Sequence, residues 1–169
     1  MITKLVATAL MAVLSVSALA ETYVGVGVGS TDYDLDHYDN PTGLTLYLGE
    51  RISENLAIEA FYTDFGAAED EIVDEVEVSA NSFGAGVLMG AQPNEGVHLF
   101  VNVGIQAWDA EVKSDFLHLR EERNGSDIYY GFGGAFDIAP GLALGARYTV
   151  YDLDEDDVSL ATVNLEAKF

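Results

Sequence analysis

Hydrophobic and polar residues alternate along most of the chain. The clearest case is residues 97–107, where valine, leucine and isoleucine occupy every second position as far as Ile105. Alternation with a period of two places the two sets on opposite faces of a β-strand. Eight segments show the pattern: residues 23–30, 43–52, 56–65, 78–89, 97–107, 128–138, 142–151 and 158–169. The chain is therefore predicted to be all-β.

The fourth segment, residues 78–89, is the least regular. Both of its faces carry glycine or other small residues. A β-bulge inside it would add one residue and switch the faces. Its register is left open at this stage.

Two kinds of connection alternate between the predicted strands. Short turns lie at residues 53–55, 92–96 and 139–141, and longer polar segments span residues 31–40, 66–77, 109–127 and 152–157. Short connections on one side and long ones on the other are typical of an up-and-down barrel. We predict one domain over residues 21–169, an eight-stranded antiparallel up-and-down β-barrel with both ends on the short-turn side.

The first twenty residues have the pattern of a secretory signal. Lys4 gives a positive start, residues 5–14 are apolar, and residues 18–20 are small. Such a segment is exported and removed, and ten apolar residues fall short of the roughly 20 that a spanning helix needs. We predict a signal peptide over residues 1–20, cleaved after Ala20.

Charge and cysteine content exclude several functions. Asp and Glu total 29 and Lys and Arg total seven, one of which is Lys4. We predict no nucleic-acid binding, because phosphates are bound by a surplus of basic side chains and this chain has a surplus of acidic ones. The absence of cysteine removes disulfides and cysteine-based zinc sites, and no cofactor is predicted.

Alternation alone leaves open a soluble, lipocalin-like carrier barrel. Charged residues help to decide, because they share the polar strand face with glycines, which a water-exposed face does not require. In a membrane barrel that face lines a narrow lumen, where charges must pair and glycine relieves crowding. The predicted polar network of the lumen comprises Arg51, Glu59, Asn102, Gln106, Arg147, Glu166 and Lys168.

Aromatic residues on the apolar face support the same choice. They lie near the strand ends, as in the interfacial girdles of membrane barrels. The predicted girdle residues are Tyr62, Tyr130, Tyr148, Phe136 and Phe169.

Five stretches carry a resemblance to a known family: "YVGVGVG" at 23–29, "LAIEAFYTDFG" at 56–66, "LFVNVGIQAW" at 99–108, "YGFGGAF" at 130–136 and "NLEAKF" at 164–169. In this order they resemble the small outer-membrane β-barrels of Gram-negative bacteria, and the chain is similar to the transmembrane domain of OmpA. The resemblance implies a transmembrane barrel in the outer membrane. It also implies that Phe169 ends a C-terminal strand read by the barrel-assembly machinery.

Three positions depart from the pattern of this family. Ala167 stands where an aromatic residue is usual, Ala135 stands where an acidic residue is frequent, and the fourth strand lacks a lysine. The salt-bridge network of the family lumen is therefore carried over only to Glu59, with Arg51 or Arg147 as its partner.

The expected function is structural. Eight strands enclose a space that side chains fill, and Tyr47, Phe61, Phe100 and Trp108 add bulk to the inward face. We predict a role in membrane integrity without a wide pore, with a narrow ion or small-solute channel as the alternative. Expected partners are outer-membrane lipid and lipopolysaccharide, and the expected state is a monomer.

Enzymatic activity is not predicted. Some barrels of this size modify lipid A with a histidine and a serine, and this chain contains His37, His98 and His118. None has a serine two residues later, although a loop pair with Ser114 or Ser126 is conceivable. Solvated loop histidines are far commoner.

The acidic loops suggest weak calcium or magnesium binding. Asp32, Asp34 and Asp36 recur at every second position, and Asp154 and Asp156 lie in the last long segment. An EF-hand is excluded because His37 and Gly43 occupy its glycine and glutamate positions. A solvated, mutually repelling surface is the simpler interpretation, so no definite metal site is predicted. The cation hypothesis would also link these loops to lipopolysaccharide phosphates.

Overall fold

A computed structural model describes residues 21–34, 39–69, 76–114, 119–153 and 156–169. The strands are β1 Glu21–Asp32, β2 Thr42–Ser53, β3 Leu56–Glu69, β4 Val76–Asn94, β5 Val97–Ser114, β6 Leu119–Ala139, β7 Leu142–Leu153 and β8 Asp156–Lys168. Each pairs antiparallel with the next, and β8 pairs with β1 to close the barrel. The predicted eight-stranded antiparallel barrel is confirmed. The predicted signal segment, residues 1–20, lies outside the described residues.

Closure gives every strand a partner on both sides, except that residues 119–128 of β6 pair with β5 alone. The β1–β8 register runs from Tyr23 opposite Lys168 to Asp32 opposite Ser159. Beyond it, the Phe169 N–H donates to the Thr22 carbonyl at 2.8 Å. A closed ladder satisfies the backbone polar groups, which an apolar surrounding requires.

The apolar strand faces point outward and the polar faces inward. Val24, Val26 and Val28 are 41–53% exposed, whereas Gly25 and Gly27 between them are buried. The predicted girdle aromatics Tyr62, Tyr130 and Tyr148 are also 40–48% exposed. The face that the valine and leucine pattern marks is thus the outside of the barrel.

Glycines on the inward face lie opposite aromatic rings. A methyl group on Gly25 would lie 2.1 Å from the Tyr47 ring, closer than real atoms approach. In six cross-strand pairs of the described residues an added methyl group would meet the ring opposite: Gly25 with Tyr47, Gly49 with Tyr23, Gly84 with Phe61, Gly104 with Tyr129, Gly125 with Trp108, and Gly133 with Phe100. Each glycine leaves the space that a large ring occupies inside a narrow barrel.

The strands extend well into the segments predicted as long loops. β5 and β6 pair as far as Ser114 opposite Leu119, so most of residues 109–127 is a hairpin that continues the barrel wall. The apolar residues change face there: Asp109, Glu111 and Lys113 of β5 take the outward positions that valine and isoleucine hold up to Ile105, and in β6 neighbouring residues such as Glu121 and Glu122 put charge on both faces. Hydrophobic periodicity marks a strand only where one face is apolar.

The bulge lies in β3 and not in the segment 78–89. Asp64 pairs with Asn81 and Ala67 with Ser79, so β3 carries one extra residue. Gly66 has φ of +78°, which glycine adopts without a steric penalty. β4 keeps an uninterrupted register with β5 from Val76 to Ala91, and its faces do not switch.

The three predicted short turns are confirmed. They connect β2 to β3, β4 to β5 and β6 to β7, with Gly96 and Gly141 at φ of +77° and +73° in the last two. Across the described ranges, no helix is both long and apolar enough to span a membrane.

Candidate functional site

A buried ion pair occupies the middle of the lumen. Arg147 of β7 donates two hydrogen bonds to Glu59 of β3, at 2.6 Å to Oε1 and 3.0 Å to Oε2. The side chains are 9% and 4% exposed, respectively. A two-pronged arginine–carboxylate contact is among the strongest polar contacts in proteins. It links opposite walls of the barrel.

Four further side chains surround this pair. The Tyr23 hydroxyl donates to Glu59 Oε2 at 3.2 Å, and Glu166 lies 3.9 Å from Arg147. The Arg147 guanidinium also lies over the Tyr47 ring at 3.9 Å and near the Phe100 ring at 4.9 Å. Charge pairing and cation–π contact together hold the guanidinium in place.

A second set of ion pairs lies at the short-turn end of the lumen. Lys168 of β8 donates to Asp137 of β6 and lies 3.4 Å from His98 Nε2 of β5. Arg51 contacts Glu21 at 3.0 Å, directly opposite it on β1. At the mouth of the barrel, Lys168 thus ties the last strand to β5 and β6, and Arg51 ties β2 to β1.

Between the two sets of ion pairs lies an open cavity of about 50 Å³, here called the vestibule. Its lining includes Arg51, His98 and Ala135 near the mouth and Tyr23, Glu166 and Arg147 at its inner end. The lumen is therefore open to solvent from the short-turn end as far as the buried ion pair.

A belt of neutral polar side chains lies beyond the ion pair. Thr45 and Thr63 hydroxyls are 2.9 Å apart, and Thr63 lies 3.3 Å from the Tyr151 hydroxyl. On the far wall, Ser82 donates to Gln106, whose side-chain amide donates to the Asp152 carbonyl at 2.8 Å. The belt joins strands on opposite sides of the barrel.

Inside this belt is a second, smaller space of about 20 Å³, here called the inner cavity. Asn102 Oδ1 and the Tyr129 hydroxyl, both from residues that line it, lack a hydrogen-bond partner among the described residues. Glu59, Arg147, Thr45 and Leu160 also line it.

The end of the lumen near the long connections is filled by apolar side chains, here called the plug. Phe65, Val158 and Leu160 are 0–2% exposed, and the Phe65 ring packs against Tyr151 with ring centres 4.8 Å apart. The plug also includes Tyr33, Ala68, Ala80 and Leu153. Among the described residues, these side chains form a buried apolar layer across this end of the lumen.

Tyr33 fastens the plug to the barrel wall. Its hydroxyl donates to the Gly66 carbonyl at 2.6 Å and accepts from the Ala80 N–H at 3.2 Å. Burial raises the pKa of the Tyr33 hydroxyl above its usual range. It therefore stays protonated and keeps donating at any ordinary pH.

The structure brings most of the predicted lumen residues into three groups. Glu59, Arg147 and Glu166 meet in the centre, Lys168 lies at the mouth, and Gln106 lies in the belt. Arg51 contacts Glu21 rather than Glu59, and Asn102 stands apart at the inner cavity. The alternation pattern placed all of these side chains inward. It did not indicate the hydrogen bond from Tyr23 to Glu59 or those that join the Tyr33 hydroxyl to Gly66 and Ala80.

The predicted cation-binding aspartates are only partly described. Asp34 has φ of +53°, and its N–H donates to Asp32 Oδ1 at 3.0 Å. Asp36 and Asp154 lie outside the described residues, and Asp156 pairs with Leu153 through its backbone. In the described part of the chain, no group of three or more His, Cys, Asp or Glu is arranged to hold a metal ion. Cation binding stays a prediction.

The histidines of the enzyme alternative are likewise only partly described. His98 contacts Lys168 and Asp137 at the mouth. His37 and His118 lie outside the described residues, and Ser126 is exposed on the outward face of β6.

Solved structures show the same fold at low sequence identity. The barrel is similar to Ail, the attachment invasion locus protein of Yersinia pestis, with a TM-score of 0.66, 20% identity and coverage of 89% of this chain and 99% of that one. For the N-terminal barrel of Pseudomonas aeruginosa OprF the values are 0.64, 12%, 89% and 97%. A major outer membrane protein of Thermus thermophilus gives 0.67, 10%, 90% and 100%.

The family comparison covers nearly the whole chain. The family model described as the outer membrane protein beta-barrel domain matches residues 6–169, whereas no curated protein matches. Proteins of this architecture place short turns in the periplasm and long connections outside the cell. By this rule the vestibule opens to the periplasm, and the plug lies at the end of the lumen nearest the cell exterior. The soluble carrier alternative is set aside, because this chain belongs to the outer membrane β-barrel domain family.

Proposed function

We propose that the chain is a structural barrel that supports outer-membrane integrity and conducts no steady flow of ions or solutes. The observation that carries this proposal is the plug above the Glu59–Arg147 pair. An ion crossing the lumen would have to displace a buried salt bridge and then part packed apolar side chains, including Phe65 and Leu160. Both steps are costly.

The proposed partners are lipid and lipopolysaccharide around the barrel. The exposed apolar face suits lipid chains, and the basic residues of the outer hairpin, Lys113, Arg120 and Arg123, are each paired with a glutamate. Divalent cations between the acidic outer surface and lipopolysaccharide phosphates would link the two. We further propose that the strand ending at Phe169 is read by the barrel-assembly machinery, and that residues 1–20 direct export.

Charge distinguishes this surface from one that binds polyanions. The Ail structure was also solved with the heparin analogue sucrose octasulfate. The present chain has a formal net charge of −22, which repels such a ligand at long range. We propose that polysulfates are not its ligands, and that it is not an enzyme, since His98 serves the ion-pair cluster at the mouth.

Single-channel recording in planar bilayers tests the proposal. The refolded wild-type barrel should give no steady conductance, and Glu59→Gln, which keeps the size of the side chain, should not create one because the plug remains. A steady conductance in wild type that changes in Glu59→Gln would overturn the structural role and establish the narrow channel. A boiled-against-unboiled gel shift shows beforehand that each variant is folded.

A further inference from the structure

One charged side chain in the periplasmic half of the barrel faces away from the lumen. Glu50 of β2 lies between Gly49 and Arg51, which both face inward. Because side chains alternate along a strand, Glu50 points outward. Every other outward strand position in the described part of this half is uncharged, as at Val24 and Leu165. Glu50 is therefore an isolated carboxylate on a face that otherwise suits lipid chains.

The position of Glu50 along the barrel matches that of an exposed aromatic ring. Glu50 lies three residues before the end of β2 at Ser53, and Phe136 lies three residues before the end of β6 at Ala139. Both strands end in short turns at the periplasmic rim, and the Phe136 side chain is 49% exposed. Exposed aromatic rings near the strand ends of a membrane barrel lie at the height of lipid headgroups. The Glu50 carboxylate is therefore within reach of a headgroup.

The Glu50 carboxylate has no partner in the wall around it. Glu50 is 3% exposed, and its Oε2 has no hydrogen-bond partner among the described residues. The adjacent basic residue, Arg51, points into the lumen and contacts Glu21. A carboxylate withdrawn from water without a donor is destabilising. A ligand that brings a positively charged donor would remove this penalty.

Headgroup chemistries differ in what they offer such a carboxylate. A primary ammonium has three N–H donors, as the lysine side chain has, and it can donate a charge-assisted hydrogen bond to Oε2. A quaternary ammonium has the same charge but no N–H group. Beside Glu50, Thr22 adds a hydroxyl that can donate to a phosphate, and Ile58 adds an apolar surface. These groups together suit a phospholipid with a primary ammonium.

We propose that Glu50, Thr22 and Ile58 form a lipid-binding site on the outward face of β1–β3, which takes a phospholipid with a primary ammonium headgroup. The ammonium donates to Glu50 Oε2, the phosphate accepts from Thr22, and an acyl chain packs on Ile58. This inference rests on the proposed contact with membrane lipid and adds a headgroup preference to it. It does not depend on whether the lumen conducts ions.

Native mass spectrometry of the refolded barrel in detergent tests the headgroup preference. The probes are dioleoyl phosphatidylethanolamine, which has a primary ammonium, and dioleoyl phosphatidylcholine, which has a quaternary ammonium on the same acyl chains. We expect the wild-type barrel to bind the first lipid about tenfold more tightly, since one charge-assisted hydrogen bond separates the two. Glu50→Gln keeps the size of the side chain but removes its charge, and it should lose most of this preference.

Glu54→Gln is the matched control, because it removes the same charge from an exposed residue in the adjacent turn. It should keep the preference of wild type. No preference in wild type, or one that survives in Glu50→Gln, would overturn the proposal. Binding that appears only when magnesium replaces EDTA in the buffer would also overturn it, because a bridging metal ion holds the phosphate of either lipid. A dimer that Glu50→Gln abolishes would instead assign the carboxylate to a contact between copies.

Urea titration in vesicles separates this site from lipid contact in general. Each variant is refolded in vesicles of phosphatidylcholine alone and of equal amounts of the two lipids. Because a ligand that binds the folded state stabilises it, the mixed vesicles should raise the urea midpoint of the gel shift more in wild type than in Glu50→Gln. Equal shifts in both would refute the headgroup site and leave the lipid contact standing. Failure of wild type to fold in either vesicle would overturn both.

Discussion

The periplasmic half of the lumen and its outer half are filled by different chemistry. The periplasmic half contains ion pairs, such as Glu59–Arg147 and Lys168–Asp137, around an open vestibule. The outer half contains Phe65, Leu160 and other apolar side chains that are packed together and buried. The lumen is thus closed twice along its axis, first by the charge pairing of Glu59 with Arg147 and then by the apolar packing of the plug.

The largest effect is expected from breaking the central ion pair. Glu59→Ala leaves the Arg147 guanidinium buried without its main partner and should lower the free energy of unfolding by about 3–5 kcal/mol. Urea titration of the heat-dependent gel shift measures it. In contrast, replacing both residues by Leu should restore most of the loss, and a double variant as unstable as Glu59→Ala would contradict this account.

Leu160→Ala tests the plug in the outer half. Removing a buried leucine side chain should cost about 2–5 kcal/mol in unfolding free energy, because the surroundings close the new space only partly. The same urea titration measures it. Val163→Ala, on the lipid-facing side of the same strand, is the control and should cost less, since Val163 is 58% exposed. Equal losses would show that the plug is loosely packed.

Gly25→Ala tests the support that glycine gives to the central site. The added methyl group would displace the Tyr47 ring, over which the Arg147 guanidinium lies, at a cost of about 1–3 kcal/mol. Gly134→Ala is a matched control on the outward face, where the methyl group would meet the tip of Leu99 at 2.9 Å and the His98 carbonyl oxygen at 3.2 Å, both farther away than the Tyr47 ring is from Gly25. Thermal gel-shift midpoints compare them, and a larger drop for the control would refute the steric explanation.

Arg51→Ala should have the smallest effect. Its partner Glu21 is 42% exposed, and exposed ion pairs contribute at most about 1 kcal/mol. Urea titration should therefore place it close to wild type and far from Glu59→Ala. A loss comparable with that of Glu59→Ala would mean that the mouth, and not the centre, determines the stability of the periplasmic half.

The barrel itself could be predicted from local pattern. Val24, Val26 and Val28 alternate with glycines, and that alternation gave the correct outward face for β1. It gave too short a β5 and β6, because beyond Ile105 the outward positions of β5 become charged and before Ile128 both faces of β6 are polar. The bulge at Gly66 in β3 was not predicted, because a single glycine in a turn-like stretch does not reveal whether the strand carries an extra, unpaired residue there.

The sequence predicted which residues line the lumen but not which of them contact each other. The pattern placed Glu59, Arg51 and Arg147 on the inward face, and the family resemblance left either arginine as the partner of Glu59. The structure selects Arg147, while Arg51 lies directly opposite Glu21 in the β1–β2 register. If the pairing register between two strands shifts by two residues, every side chain stays on the same face of the sheet. Alternation therefore does not determine which inward residues meet.

The sequence by itself determined the number of strands and the positions of the short turns, because these depend on local periodicity and turn chemistry, and the placement of charges and glycines indicated which strand face points inward. The tertiary structure alone decided that Glu59 pairs with Arg147, that Tyr33 fastens the plug, and that Asn102 and Tyr129 line a cavity. These contacts join strands far apart in the chain. They depend on the pairing registers of all eight neighbouring strand pairs, which together decide the heights at which residues of distant strands face one another. A local sequence pattern does not contain this information.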